Sequence, residues 1–219
     1  GPLVIPRAPA ADEAADLAGR RALGILLAGT LVMLAAAGAG LRPAVAIGAL
    51  VYATGIALLA VHVWRQARIA TPRTFASWSL AASLAWFAGA VIAFGVVVAT
   101  APSWTVVPDR LTGLIAPFAV GFVAQVMIGS MSYLVPVVLG GGPGAARWSN
   151  ASMDRWGMGR LVVLNLSVAI FALPAPSYVL VLVSTLGLVP LLMFLAITLR
   201  TILVQRRSEK RTLAAPGTD

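Results

Sequence analysis

The sequence predicts an all-α integral membrane protein, a polytopic bundle of six transmembrane helices with both termini in the cytoplasm. Hydrophobic residues make up 60% of the 219 residues and charged residues only 11%, which is less polar surface than a soluble domain needs. The apolar residues also form continuous stretches, most of which approach the ~20 residues that a helix needs to cross a ~30 Å hydrocarbon core. The six predicted spans are 22–41, 44–64, 75–99, 111–139, 156–173 and 178–199.

The basic residues divide sharply between the two sides of this topology. Fourteen of the sixteen Lys and Arg residues lie in the N-terminal arm, the second loop, the fourth loop and the C-terminal tail. They are Arg7, Arg20, Arg21, Arg65, Arg68, Arg73, Arg147, Arg155, Arg160, Arg200, Arg206, Arg207, Lys210 and Arg211. Only Arg42 and Arg110 fall on the opposite side, so the positive-inside rule places both termini in the cytoplasm of a multi-pass plasma-membrane protein. An odd number of spans would destroy this separation.

The chain divides into three segments on composition. Residues 1–21 are predicted to be a cytoplasmic linker arm, 22–199 the six-helix transmembrane domain, and 200–219 a basic, partly disordered cytoplasmic tail. The net charge of +9 is explained by the basic groups beside span ends, so no nucleic-acid partner is expected. The absence of cysteine excludes disulfides and thiolate metal sites within the chain.

The first span is rich in Ala and Gly, and Gly24, Ala28 and Gly38 are expected to allow close helix packing. Arg42 and Pro43 form a very short turn, which predicts an antiparallel hairpin between the first two spans. The third span is an apolar helix that carries several serines.

The fourth span is the unusual one, because its 29 residues exceed the thickness of the bilayer. Pro117 and Pro136 each remove a helix hydrogen bond, which predicts kinks at these positions. The fifth span is short, and the sixth is an apolar helix that contains Pro190.

The polar residues singled out within the predicted spans are Gln125, Ser132, Tyr133 and Asn165. Such groups usually turn inward and form hydrogen bonds between helices, and they could also line a path for a small solute. We expect no ionisable side chain inside a span, which argues against a proton-driven pump.

Met127 and Met131 lie one helical turn apart, so their thioethers share a face of the fourth span. Thioethers are suitable ligands for Cu(I), which makes the pair a weak candidate metal site. Packing is the favoured interpretation because methionine is common packing material and Met153 and Met158 are predicted to lie in a loop.

His62, the single histidine, lies near the cytoplasmic end of the second span and is interpreted as an interfacial residue rather than a haem ligand.

The glycine-rich stretch 140–144 precedes Arg147 and could form a nest for an anion. A helix C-cap followed by a turn is the favoured interpretation. The chain has no paired carboxylates, Ser–His–Asp set or histidine cluster, so the sequence assigns no catalytic, cofactor or metal site.

One stretch carries a resemblance to a known family. Residues 121–143 (GFVAQVMIGSMSYLVPVVLGGGP), followed by Arg147 and the segment 160–165 (RLVVLN), resemble the membrane-spanning part of actinobacterial multicopper-oxidase and copper-nitrite-reductase-like proteins. In that family a bundle distantly like haem–copper oxidase subunit I precedes exported cupredoxin domains.

The resemblance implies that the chain is a fragment, a non-catalytic membrane anchor within a larger copper-dependent oxidoreductase. Its partners would be the lipid bilayer and cupredoxin domains of the same polypeptide, which would hold the copper, and no cofactor is expected in this chain. Two alternatives remain: a stand-alone permease for a small neutral solute or metal, and a structural assembly protein.

Overall fold

The computed structural model describes residues 12–69, 74–139 and 142–214, and all secondary structure within them is helical. The elements are α1 (Asp12–Gly38), α2 (Arg42–Ile69), α3 (Phe75–Thr100), α4 (Val107–Leu111), a 3₁₀ turn (Thr112–Leu114), a π-helix (Pro117–Ala124), α5 (Gln125–Leu139), α6 (Gly142–Asp154), α7 (Gly157–Phe171) and α8 (Ser177–Ala214). The predicted all-α class is confirmed.

Helices that are long and apolar enough to cross a membrane occur five times among the described residues. They are Leu17–Gly38, Arg42–Arg65, Phe75–Thr100, Pro117–Leu139 and Ser177–Arg207, which match predicted spans one to four and six. The predicted fifth span corresponds to α7, whose 15 residues extend about 22 Å, short of the hydrocarbon thickness. A multi-pass membrane protein is therefore supported, while the sixth span and the cytoplasmic placement of both termini stay predictions.

The helices extend beyond the predicted segment boundaries at both ends. Helix α1 begins at Asp12, inside the predicted arm, and α8 continues to Ala214, inside the predicted tail. Residues 1–11 of that arm and 215–219 of that tail lie outside the described residues.

The described residues form two compact units. The first comprises 12–69 and 83–122, which hold α1, α2, most of α3, α4 and the start of the π-helix. Its core includes Val45, Val98 and Val107, which are buried together with Ala36 and Ala101.

Helices α1 and α2 form the predicted antiparallel hairpin, but their closest approach does not use the predicted small residues. A Cβ atom added at Gly29 would lie 2.7 Å from the backbone nitrogen of Tyr52, and one at Gly48 would lie 2.9 Å from the backbone nitrogen of Met33. Added Cβ atoms at Gly24 and Gly38 would meet no atom within 4 Å. The two backbones approach each other closely only where a glycine faces the partner helix. Which glycine does so depends on the rotation of each helix about its axis as well as on its composition.

The turn between α1 and α2 is fixed by groups from the loop that follows α3. The indole Nε1 of Trp104 donates a hydrogen bond to the carbonyl oxygen of Gly40 at 2.9 Å, and the Arg42 guanidinium donates to the carbonyl oxygen of Ala101. Gly40 itself has φ of +71°, a left-handed conformation that glycine adopts without a steric penalty. These bonds satisfy two carbonyls near helix ends.

The second unit comprises 74–82, 123–139 and 142–214, which hold the first turns of α3 and helices α5 to α8. Phe75, Ile128 and Leu161 form its buried cluster, and Leu191 and Phe194 of α8 pack against that cluster.

Helix α6 occupies a region that the sequence predicts to be a loop. Its residue Met153 is almost completely buried, and Ser149, one turn earlier, accepts a 2.7 Å hydrogen bond from Nε2 of Gln205 in α8. The prediction that Met153 and Met158 lie in a loop is therefore wrong, since Met158 lies in α7. The short polar residues of α6 resemble a loop in sequence, but one face of the helix packs against α8.

The predicted fourth span is not one regular helix. A 3₁₀ turn precedes Pro117, a π-helix follows to Ala124, and α5 begins at Gln125. Pro117 therefore coincides with a change in helical geometry, because its ring cannot donate the hydrogen bond of a regular turn. Pro136 lies inside α5, where the helix continues to Leu139.

Candidate functional site

Gln125 is the first residue of α5 and the best-buried member of the predicted polar cluster, with 1% of its surface exposed. Its Nε2 donates a 2.9 Å hydrogen bond to Oδ1 of Asn165 in α7. Asn165 Nδ2 in turn donates to the carbonyl oxygen of Leu161, one turn earlier, at 2.8 Å. The structure thus brings two of the four predicted polar residues together in a bond between helices, within the second unit.

Ser132 and Tyr133 occupy different environments on α5. Ser132 is buried and lies seven residues after Gln125, so the two side chains share one face of the helix about 10 Å apart. Tyr133 projects from a neighbouring, partly exposed face.

Two buried oxygens of this face have no hydrogen-bond partner among the described residues: Oε1 of Gln125 and Oγ of Ser132. A buried polar atom left unsatisfied costs about 1–3 kcal/mol, so each of these oxygens is a favourable position for water or for a polar solute. Gln125 Oε1 can accept a hydrogen bond, and the Ser132 hydroxyl can donate or accept one.

Met127 and Met131 lie on an exposed face of α5, with 59% of the Met127 surface accessible. Within the described ranges, no group of three or more His, Cys, Asp or Glu residues is placed to hold a metal ion. The donor set at the methionine pair, two thioethers on one helix, does not by itself form a copper centre.

The remaining candidates are dispersed. His62 is half-buried near the end of α2, and the Arg147 side chain is exposed on α6. Gly140 and Gly141 of the predicted glycine nest lie outside the described residues.

Arg160 is the residue that sequence reasoning missed. The sequence predicts a loop position for it, but it lies in the first turn of α7 with 3% of its surface exposed. Its guanidinium lies over the ring of Phe75, 4.2 Å from the ring centroid, and Nη2 donates to the carbonyl oxygen of Met153. The expectation that no ionisable group lies within the predicted spans therefore fails at 156–173.

A sequence signal for this burial was present. Arg160 precedes Leu164, Ser167 and Val168 at intervals of four, seven and eight residues, the spacing of one helical face, and all three are buried. An arginine in phase with a buried face points inward.

The first unit contains a separate apolar cavity of about 510 Å³. Aromatic rings dominate one side of it: Phe87 stacks on Phe122 with centroids 4.5 Å apart and meets Tyr52 edge-on at 6.1 Å. Tyr52, Phe87 and Phe118 line the cavity together with Met33 and Leu114. Its walls suit an apolar chain or ring rather than a polar solute.

Comparisons with known proteins give no relative for this chain: no family model, curated protein or solved structure matches it. The established description is that of a helical, multi-pass membrane protein.

Proposed function

We propose that this chain is the membrane-embedded module of a larger copper-dependent oxidoreductase, which anchors the catalytic domains at the plasma membrane. The observation that carries the membrane part is the set of five apolar helices of spanning length. Large apolar side chains such as Leu31, Leu34 and Leu192 are exposed on these helices, as expected of surfaces that contact lipid.

The copper part of the proposal is supported by the resemblance carried by 121–143 and 160–165. These segments contribute the second half of the π-helix, all of α5 and residues 160–165 of α7, including the bonded pair Gln125 and Asn165. The proposal assigns copper to attached cupredoxin domains, because the thioethers of Met127 and Met131 do not by themselves form a copper centre.

The test is the intact mass and metal content of the native polypeptide. An antibody to residues 65–73 would capture it from solubilised membranes, followed by mass spectrometry and copper analysis. The expected result is a mass well above 22.6 kDa with bound copper. A native mass near 22.6 kDa would refute the oxidoreductase module.

A permease for a small neutral solute is the second candidate. The unsatisfied oxygens of Gln125 and Ser132, buried on one face of α5, favour it. Proteoliposomes loaded with glycerol or urea would show flux that falls when Gln125 is replaced by leucine, while Met127→Leu on the exposed face would leave the flux unchanged. Equal flux in both variants and in empty liposomes would exclude this function.

Stable co-purification with a partner, without flux or copper, would support an assembly protein instead.

A further inference from the structure

The apolar cavity of the first unit opens on a surface that faces lipid. Two of the residues that line it, Ile115 and Phe118, are apolar and yet have 63% and 43% of their surfaces exposed. Met33 of α1 and Val91 of α3 line the same cavity, so it lies among several elements of the unit. An apolar molecule in the membrane can therefore enter it from the side.

Water and empty space are both unfavourable in this cavity. A buried water needs about two to four polar partners, and Tyr52 is the lining residue that carries a hydroxyl group. Atoms that line an empty space lose dispersion contacts, and this loss increases with the volume that is left unfilled. A volume of about 510 Å³ therefore favours an apolar occupant.

The cavity extends over the depth of about one leaflet of the membrane. Tyr52 lies ten residues after Arg42, the first residue of α2, which corresponds to about 15 Å of helix, half of the ~30 Å hydrocarbon core. Leu111, another lining residue, packs against the cluster that contains Ala101, directly after the end of α3. The lining thus runs from the polar boundary to the middle of the bilayer, as one hydrocarbon chain of that leaflet does.

Two arginines meet at the end of α3 that lies nearest the polar boundary. Nη1 of Arg110 donates to the carbonyl oxygen of Thr100 at 3.3 Å, and Nη1 of Arg42 donates to the carbonyl oxygen of Ala101. Each guanidinium has five N–H donors, so donors remain for a further acceptor. Asp109 is the one acid of the loop, which leaves an excess of positive charge. These are also the two basic residues that the charge pattern places opposite all the others.

We propose that the cavity binds one acyl chain of a phospholipid whose phosphate contacts Arg42 and Arg110. The chain fills the apolar volume without desolvating any polar group, and the phosphate accepts hydrogen bonds from the guanidinium groups at the polar boundary. Trp104, whose indole donates to the Gly40 carbonyl, lies in the same loop, as is typical of tryptophan at a membrane interface.

Photolabelling of the delipidated, full-length protein in detergent tests the proposal. One equivalent of phosphatidylglycerol with a diazirine in one acyl chain would be added and irradiated, and peptide mass spectrometry would locate the labelled residues. Val91 lines the cavity, whereas its neighbour Ile92 is exposed and does not line it. The expected result is stronger labelling of Val91 and Phe118 than of Ile92, and loss of this preference when unlabelled phosphatidylglycerol is in excess.

Matched variants test the chain and the headgroup separately. Ala90 lines the cavity, so Ala90→Phe should reduce labelling of Phe118 about tenfold, whereas Ala85→Phe, at an exposed position of the same helix, should not. Arg110 is exposed, so Arg110→Gln should weaken binding of phosphatidylglycerol by only about two- to fivefold, and the exposed Arg155→Gln should not weaken it. Diacylglycerol with the same chains, which lacks the phosphate, should bind more weakly than phosphatidylglycerol.

Three results would each overturn the proposal. They are equal labelling of Val91 and Ile92, unchanged labelling of Phe118 in Ala90→Phe, and equal binding of phosphatidylglycerol and diacylglycerol. If Ale90 cannot be replaced without loss of folding, the wild-type labelling pattern and Arg110→Gln decide the matter.

A protein helix is the other possible occupant, and crosslinking in native membranes distinguishes it from lipid. Ile115 would be replaced by a photoreactive phenylalanine analogue at the exposed edge of the cavity. A crosslink to phospholipid is the expected result. A crosslink to a second polypeptide would show that a protein fills the cavity and would overturn the lipid site.

Discussion

Replacing Gly29 with alanine places one methyl group at the closest approach of α1 and α2. The new Cβ would lie 2.7 Å from the backbone nitrogen and 2.9 Å from the Cα of Tyr52. Backbone atoms of a neighbouring helix cannot rotate away as a side chain can. Restoring an ordinary contact of 3.4 Å therefore requires the two helices to separate locally by about 0.7 Å.

The expected cost follows from two opposing effects. Alanine is favoured over glycine in a helix by up to about 1 kcal/mol, and this gain applies at any position within α1. Overpacking at a rigid contact costs about 1–3 kcal/mol, and this penalty applies only where atoms lie in the way. Gly24→Ala in the same helix is the matched control, because its Cβ would meet no atom within 4 Å.

The assay is thermal unfolding of both variants in the same detergent. At about 2–4 °C per kcal/mol for a chain of this size, Gly29→Ala should unfold roughly 2–12 °C below Gly24→Ala. Gly24→Ala itself should match or exceed the wild-type protein. Equal midpoints for the two variants would refute the close packing of α1 against α2 at Gly29.

Three further predictions concern polar contacts. Gln125→Leu and Asn165→Leu should each destabilise the protein, and a double-mutant cycle should give a coupling of about 0.5–1.5 kcal/mol for their hydrogen bond; a coupling near zero would contradict the pairing. Ser132→Ala should be neutral or stabilising in chemical unfolding, since it removes an unsatisfied hydroxyl; a loss of more than about 1 kcal/mol would indicate an acceptor or donor beside it. Trp104→Phe should lower the free energy of unfolding by about 1 kcal/mol, because the hydrogen bond to the Gly40 carbonyl is lost. Hydrogen exchange of the backbone amides in the α1–α2 turn should then become faster, and an unchanged exchange rate would exclude a role of Trp104 in fixing that turn.

The helical class and most spans could be predicted because they depend only on the length and apolarity of continuous stretches. That Gln125 and Asn165 form hydrogen bonds between helices could also be predicted, since polar groups in apolar helices usually do so. Their partners could not be assigned, because they lie 40 residues apart in sequence and belong to different helices.

Features that depend on the rotation of a helix about its own axis could not be predicted from the sequence. Gly24 and Gly29 are the same residue type in the same helix, and only the rotation of α1 relative to α2 decides which of them faces the backbone of α2. The positive charge of Arg160 predicts a loop, whereas its spacing to Leu164 predicts the buried face of a helix, and the sequence alone does not decide between the two. Helix α6 is short and polar, so neither hydropathy nor length distinguishes it from a loop.

The π-helix at Pro117–Ala124 gives this segment a tolerance of chain length that a regular helix lacks. Its hydrogen bonds span five residues rather than four, so it accommodates one residue more than an α-helix that covers the same length of axis. Deleting one residue there would let an ordinary α-helix form with little change in the direction that the following side chains face. Gln125 would keep its bond to Asn165, since both residues follow the π-helix and belong to the second unit. A one-residue deletion within α5, after Gln125, would instead rotate Gln125 by about 100° relative to the rest of that helix. For a homologous sequence, the position of a one-residue gap in this segment would therefore report whether side-chain orientation has changed.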